Sequence, residues 1–302
     1  MRFATRLCPS PCCLLHPGLA LPCGLALLAI WSLVCNSALA QNTIESSAAL
    51  AVSGEVLTRG HAHNDYLHER PLLEALERGF ASIEADIFLR DGQLLIGHTQ
   101  AELRPERTLE GMYLEPLAEW IKKHNGSVHT TEQPLILLID IKTDAASTWE
   151  SLHTLLLKYR EILSETVDGK FQPRAVTVII SGKRAIQEIL ATRPQLAGVD
   201  GGLSDLESSL RAEEMPLLSD AWSKHFQWRG SGPMPAEEAK KLRDIVTRAH
   251  ATGRMVRFWA TPETVPLWRE LRSAKVDLIG TDQLERLEEF LKQGNERAPD
   301  RN

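Results

Sequence analysis

His61-Ala-His63-Asn64, Glu84-Ala-Asp86, Gly97-His98 and Asp140-Ile-Lys142 are the stretches whose residue types could do chemistry together. Along an extended strand, side chains at i and i+2 share a face, so Glu84 and Asp86 project their carboxylates into one space. Two such groups repel unless positive charge lies between them. A hard divalent cation meets that need: Mg²⁺ or Ca²⁺ takes carboxylate and amide oxygens, with Asp140 as a third acid and Asn64 as a neutral ligand. A His-x-His pair beside acids also suits Zn²⁺, but oxygen donors outnumber nitrogens here, which favours the harder ions. His61 and His63 share a face in the same way, and His98 follows a β-like run over Gln93–Ile96. Two imidazoles flanking a cation make a general acid and base poised near neutral pH, the parts that phosphodiester cleavage requires. The strand face that ends in Asp140 carries Ile136 and Leu138, so an unpaired acid there would be costly; the cation or Lys142 would pair it. Glycoside hydrolysis is less well served, because Glu84 and Asp86 are too close in sequence to flank a sugar ring.

These segments need a scaffold that brings them to one place. From about Glu55 the chain alternates short β-like runs with amphipathic helical stretches, the pattern of βαβ units and a parallel sheet. The strand candidates are Val56–His61, Ala81–Phe88, Leu135–Ile141, Ala175–Ser181, Leu196–Val199, Leu217–Asp220, Met255–Trp259 and Val276–Gly280. Helical candidates lie near 71–78, 115–124, 147–163, 183–191, 236–252, 263–273 and 283–292. This spacing predicts an α/β fold of the TIM-type (β/α)₈ barrel class, one domain over 54–293, better than a doubly wound sheet. In such barrels functional residues stand at the C-terminal ends of strands, where His63, Asp86, Asp140 and Trp259 fall. The stretch 100–133, with Tyr113 and Trp120, is long for a connection and either folds over the mouth as a lid or makes a surface excursion. The stretch 220–235 carries Trp222, His225, Phe226, Trp228 and Arg229, and its aromatics with an arginine suggest ligand contacts, with simple packing as the alternative. The substrate-binding candidates here are His61, Trp228, Arg229 and Trp259.

Of 302 residues, 43% are hydrophobic and 25% charged, enough to build a sizeable core. Residues 1–40 differ from the rest. Arg2 and Arg6 precede an apolar run from about Leu19 to Val34, and Ala38-Leu39-Ala40 precedes Gln41, the order of a cleavable signal peptide. An uncleaved anchor is the alternative, against which Pro22 and Gly24 interrupt the apolar run. The expectation is a secreted or periplasmic product with no membrane span after cleavage, a tether over 41–53 and a disordered tail over 294–302. Cys8, Cys12, Cys13, Cys23 and Cys35 all lie in the leader, so the mature chain would have no disulfide, thiol nucleophile or cysteine-bound metal. Losing two arginines and no acid would move the formal charge from −6 to −8, which gives nucleic acid no basic stripe to bind. The partner expected is a small-molecule or lipid-headgroup phosphodiester, met by a monomer.

In order and spacing, His63-Asn64-x-Tyr66-Leu67, Ile83-Glu84-x-Asp86, Gly97-His98-Thr99 and Pro134-x-Ile-Leu-x-Ile-Asp140 resemble the active-site segments of phosphoinositide-specific phospholipase C. The wider group includes the glycerophosphodiester phosphodiesterases, whose tryptophan-ending strand and final Thr-Asp are similar to Trp259 and Thr281-Asp282. The form His-Asn-Asp-Tyr, Glu-Ala-Asp and Leu-Leu-Ile-Gly-His looks closest to phospholipase-C-like proteins of the altered-inheritance-of-mitochondria type. The resemblance, over about residues 57–292, implies a TIM-type barrel with His63 and His98 as the acid and base. It further implies Asn64, Glu84, Asp86 and Asp140 as holders of a divalent cation, and Lys142 as a phosphate contact. There are departures from the pattern. The glycerophosphodiesterase His-Arg-Gly signature is absent, Asp140 stands where the phospholipases carry glutamate, and no lipid-binding accessory domain accompanies the barrel. His61 could replace or assist His63. A barrel that binds a phosphate or sugar ligand without turnover is the alternative function.

Overall fold

The computed structural model describes residues 56–295. Its strands are β1 (Leu57–Ala62), β2 (Phe80–Arg90), β3 (Gln93–Ile96), β4 (Leu135–Ile141), β5 (Glu165–Val167), β6 (Lys170–Gln172), β7 (Val176–Gly182), β8 (Ala197–Gly201), β9 (Leu217–Ala221), β10 (Met255–Trp259) and β11 (Leu278–Thr281). The helices are α1 (Leu73–Glu77), α2 (Glu115–Lys123), α3 (Ala145–Lys158), α4 (Ile186–Ala191), α5 (Trp222–His225), α6 (Ala236–Ala251), α7 (Val265–Ser273) and α8 (Leu284–Asn295).

Eight strands run parallel in the order β1-β11-β10-β9-β8-β7-β4-β2, and β1 pairs again with β2, so the sheet closes into a (β/α)₈ barrel. The seam joins the first and last strands of the ring, with Gly60 opposite Ile279 and Ala62 opposite Thr281. β3 lies outside the ring, antiparallel to the end of β2 through the Asp91-Gly92 turn, where both residues have positive φ.

A strand covered on both sides must be apolar on both faces, and Leu135-Ile-Leu-Leu-Ile-Asp-Ile141 reads that way. One face meets the helices. The other joins a small interior cluster of Ile136, Leu138, Ile179, Leu217 and Leu278 that plugs the barrel. Two residues further along the same strands the inward positions turn polar, Asp140, Ser181 and Ser219, or lose their side chain, Gly280. The barrel interior is therefore apolar along these strands and hydrophilic at the C-terminal mouth.

Helices seal the outside with one apolar stripe each. The last of them buries Leu284, Leu287, Phe290 and Leu291, the spacing expected for the closing helix. Asp144 caps α3 by accepting from Ser147 N–H, and Thr264 caps α7 by accepting from Leu267 N–H.

Three sequence expectations change. α3 stops at Lys158 and passes through a short turn over Arg160–Ile162, not a continuous helix to 163. The hairpin β5–β6 follows, where no strand was expected; Asp168 (φ 50°) and Gly169 (φ 73°) make the left-handed two-residue turn that matches strand twist. The stretch 100–133 is not a lid. Leu109, Tyr113, Leu114, Leu117 and Ile121 are buried in the main core, and no residue of the stretch lines the mouth.

The signal peptide over 1–40, the tether over 41–53 and the tail beyond 295 lie outside the described residues; the tail's first two residues, 294 and 295, still belong to α8. Among the described residues, no helix is long and apolar enough to cross a membrane.

Candidate active site

The polar mouth opens into a cleft of ≈ 440 Å³ that includes His63, Asn64, Glu84, His98, Asp140 and Lys142. Strand register explains the gathering. Asp86 pairs with Asp140 across β2 and β4, so the two carboxyls stand side by side. Glu84 is one inward position earlier on β2, and all three acids offer oxygens within 4.8 Å of one another.

Each acid has its own partners. Glu84 is 4% exposed and lies between Arg257, which donates from Nη2 at 2.5 Å, and His61, whose Nε2–H donates at 2.9 Å. Burial alone would raise the Glu84 carboxyl, but the Arg257 guanidinium and the His61 contact outweigh it and hold the group ionised, well below the usual range. Asp86 is fully buried, and its Oδ2 lies 2.8 Å from the Tyr66 hydroxyl, 3.0 Å from His98 Nδ1 and 3.0 Å from Lys142 Nζ. Asp140 lies 3.2 Å from the same ammonium. Burial lifts the Asp140 carboxyl to about 6, with Lys142 opposing and the neighbouring Asp86 and Glu84 reinforcing the rise.

Asp140 fits only because residue 182 is glycine. At φ 69° a Cβ there would stand 2.0 Å from Asp140 Oδ1 and 2.5 Å from the Ile141 carbonyl oxygen.

His63 is partly exposed in the cleft, and its Nδ1–H donates to Asp282 Oδ1 at 2.7 Å across the β1–β11 seam. Burial works to lower the His63 pKa, but the Asp282 hydrogen bond and the Glu84 charge raise it overall. His98, on the loop after β3, donates Nδ1–H to Asp86, and its backbone N–H is held by Glu102 at 2.8 Å. Asn64, in the left-handed conformation at φ 47°, turns the chain after β1; its Oδ1 is 2.7 Å from the Tyr66 hydroxyl.

The donor set fits a divalent cation. Asp86 Oδ1 and Asp140 Oδ1 are buried without a hydrogen-bond partner, and three carboxylates with a nearby carboxamide form a hard oxygen set.

Three candidate substrate contacts are corrected. His61 is fully buried beneath the cleft, held by Ser82 Oγ at 2.8 Å and by Glu84; with burial and Arg257 pushing its pKa down to about 4, it is a neutral support for Glu84. Trp228 is 8% exposed and packs into the core, its indole N–H donating to the Ser231 carbonyl and its own carbonyl accepting from Trp222. Arg229 is exposed and does not line the cleft. The aromatic content of 220–235 is packing: Trp222 stacks on Phe226 at 4.2 Å and meets Phe258 edge-on. Trp259 does line the cleft and is 43% exposed.

The sequence reading missed the far wall. Asp200 on β8 is 2% exposed, its Oδ2 accepting from Ser181 at 2.8 Å and from Ser219 at very short range, while Oδ1 has no partner. Burial raises the Asp200 pKa. Arg257 was also missed. The available signal was period-2 alternation: Met255-x-Arg257-x-Trp259, Leu217-x-Ser219 and Ile179-x-Ser181 put polar groups on the inward face of strands already drawn.

A closed parallel barrel with paired histidines and a carboxylate cluster at its C-terminal mouth defines a phosphodiesterase-like TIM barrel. Residues 52–195 match the family model of the AIM6-like phosphodiesterase domain, so the resemblance read from the motifs holds. The chain is 29% identical to an altered inheritance of mitochondria protein 6 homolog of Arthroderma benhamiae, over 74% of this chain and 81% of that one. It is also 29% identical to altered inheritance of mitochondria protein 6 of Eremothecium gossypii, over 78% and 70% respectively. Among solved structures, a glycerophosphodiester phosphodiesterase from Parabacteroides distasonis aligns at TM-score 0.49 and 15% identity, over 80% of this chain and 100% of that one. A phosphatidylinositol-specific phospholipase C from Listeria monocytogenes aligns at TM-score 0.43 and 12% identity, over 81% and 93%.

Proposed function

We propose that the protein is an exported, metal-dependent phosphodiesterase that cleaves a small phosphodiester or lipid headgroup, with His63 and His98 as general base and acid. The observation that carries the reading is that both imidazoles present Nδ1 to a carboxylate, Asp282 and Asp86, which leaves each Nε2 for proton transfer in the cleft. Asp282 favours the charged imidazole that forms when His63 takes a proton from the attacking hydroxyl. His98 then protonates the leaving oxygen, with Asp86 keeping its ring oriented. Glu84, Asp86, Asp140 and Asn64 would hold the cation, which when bound polarises the phosphoryl oxygen and offsets its charge. Lys142 faces the same space and would contact the phosphate. Ser181, Asp200 and Ser219 offer hydrogen bonds to hydroxyls on the esterified alcohol, and Trp259 offers an apolar surface beside them. Where that alcohol carries a hydroxyl next to the phosphate, its attack gives a cyclic phosphate; otherwise water attacks. The charged, apolar and small-residue order of residues 1–40 supports export.

The test is turnover of bis(p-nitrophenyl) phosphate in EDTA and after restoring Mg²⁺, Ca²⁺, Mn²⁺ or Zn²⁺, with His63→Ala and His98→Ala alongside. The expected result is cation-dependent turnover that falls about 10²–10⁴-fold in each variant. Turnover indifferent to EDTA and to both substitutions would refute the reading.

A further inference from the structure

Charge at the mouth is divided unevenly among its acids. Glu84 has two partners of its own, Arg257 and His61, both deeply buried and both fixed on strands of the ring. Asp86, whose Oδ2 also meets Tyr66 and His98, and Asp140, paired with it in register on β2 and β4, share one ammonium. That one is Lys142, whose Nζ lies 3.0 Å from Asp86 Oδ2 and 3.2 Å from Asp140 Oδ2. It is anchored unlike Arg257. The Lys142 backbone N–H donates to the Ile87 carbonyl at 2.9 Å, which fixes the main chain, while the side chain is 24% exposed and reaches in from the cleft. Four methylenes of rotatable stem separate the fixed backbone from the ammonium, so the charge can leave the carboxylates without any shift of β4. The two carboxylates would still keep Oδ1 atoms that no protein donor reaches.

A divalent cation held by these acids sits about 2.0–2.6 Å from its oxygens. An ammonium on the same Oδ2 atoms would then lie within a few ångströms of a doubly charged ion, at a strongly repulsive distance in a partly buried site. The two cannot share the seat. We propose that Lys142 is a tethered competitor of the divalent cation: it bridges Asp86 and Asp140 when no cation is bound, and is displaced into the cleft when one binds. The inference rests on the reading of the acids as a cation site.

Two consequences follow from linkage. The lysine lowers apparent cation affinity, because part of the binding free energy goes into displacing it. The displaced ammonium also becomes available to the substrate phosphate, so anion and cation each strengthen the binding of the other by the same factor.

The experiment is calorimetric titration of Mg²⁺ and Mn²⁺ into the full chain, its Lys142→Met variant and its Lys142→Gln variant. The second variant keeps a polar group at the cleft edge in case the first does not fold, and circular dichroism verifies both. Cation affinity is expected to rise about tenfold or more in the variants. A variant that binds a cation the natural protein does not measurably bind supports the inference equally. Affinity equal to or weaker than that of the natural protein would overturn it while leaving the cation reading intact, since an ordinary ion pair or a second-sphere support predicts that result. If none of the three proteins binds a cation, the cation reading falls and the inference falls with it.

Discussion

Replacing Arg257 by methionine isolates the cost of the charged layer inside the barrel. The Glu84 and Arg257 side chains are 6% and 4% exposed, so neither can recover hydration without the mouth opening. Removing the guanidinium leaves a buried carboxylate with only the His61 N–H as partner. Breaking one side of a buried pair costs about 3–5 kcal/mol, a large share of the roughly 5–15 kcal/mol that stabilises an ordinary domain. In a barrel of this size that is a fall in Tm of about 10 °C. Equilibrium urea denaturation followed by tryptophan fluorescence gives the free energy directly. The double variant Arg257→Met/Glu84→Gln removes both charges and should regain much of the loss, giving a favourable coupling energy for the natural pair. Arg70→Met provides the contrast, since Arg70 and Glu77 are 52% and 46% exposed and water screens their pair, so its loss should be far smaller. If Arg257→Met costs no more than Arg70→Met, or the double variant loses the sum of its singles, the buried layer is not held together by this pair.

Gly182→Ala should cost about 1–2 kcal/mol for the left-handed backbone, and more from the contact with the Ile141 carbonyl. It should also push the Asp140 carboxylate aside, so cation binding and turnover fall together; normal Mg²⁺ affinity by calorimetry would contradict this. His129 lies 5% exposed, away from the cleft, and burial pushes its pKa down to about 4. The unfolded chain takes up that proton near pH 6.5 while the fold does not, so stability is lost as pH falls from about 6.5 towards 4, by up to about 3 kcal/mol. His129→Gln should flatten that part of the profile, measured as urea midpoints at pH 7 and 4.5; an unchanged pH slope would contradict the assignment.

The barrel was legible because its strands are long aliphatic runs at regular spacing. The runs Leu135–Ile141 and Met255–Trp259 coincide with their strands at both ends. The acids were legible because Glu84-x-Asp86 and Asp140 end such runs. Arg257, Asp200, Ser181 and Ser219 were not, because a single polar residue on a strand acquires meaning only when register sets it opposite another, and register between distant strands is not written locally. His61 and His63 could not be ranked because both lie two residues apart on one face; only the strand's end at Ala62 separates a buried imidazole from one at the mouth. Trp228 and Arg229 misled because an aromatic loop beside an active face looks the same in sequence whether its rings face ligand or core. Tyr113 misled for a related reason, its hydroxyl being spent on buried Asp65 at 2.9 Å.

The closed ring divides the labour of the chain in two. Strands β1 to β4, with the turn that follows β3, carry the groups that would react and those that would hold charge: His63, Glu84, Asp86, His98, Asp140 and Lys142. Strands β7 to β11 bring the groups that answer them, Asp200, Ser219, Arg257, Trp259 and, just past β11, Asp282. The family match over 52–195 ends between β7 and β8, so all of this second set lies beyond it. Such a split gives the barrel two separately adjustable halves. If the proposed function holds, exchanging Asp200, Ser219 or Trp259 would change which alcohol is accepted while the reacting half stays as it is. Arg257 and Asp282 have no such freedom, because Arg257 is tied across the barrel to Glu84 and Asp282 across the β1–β11 seam to His63.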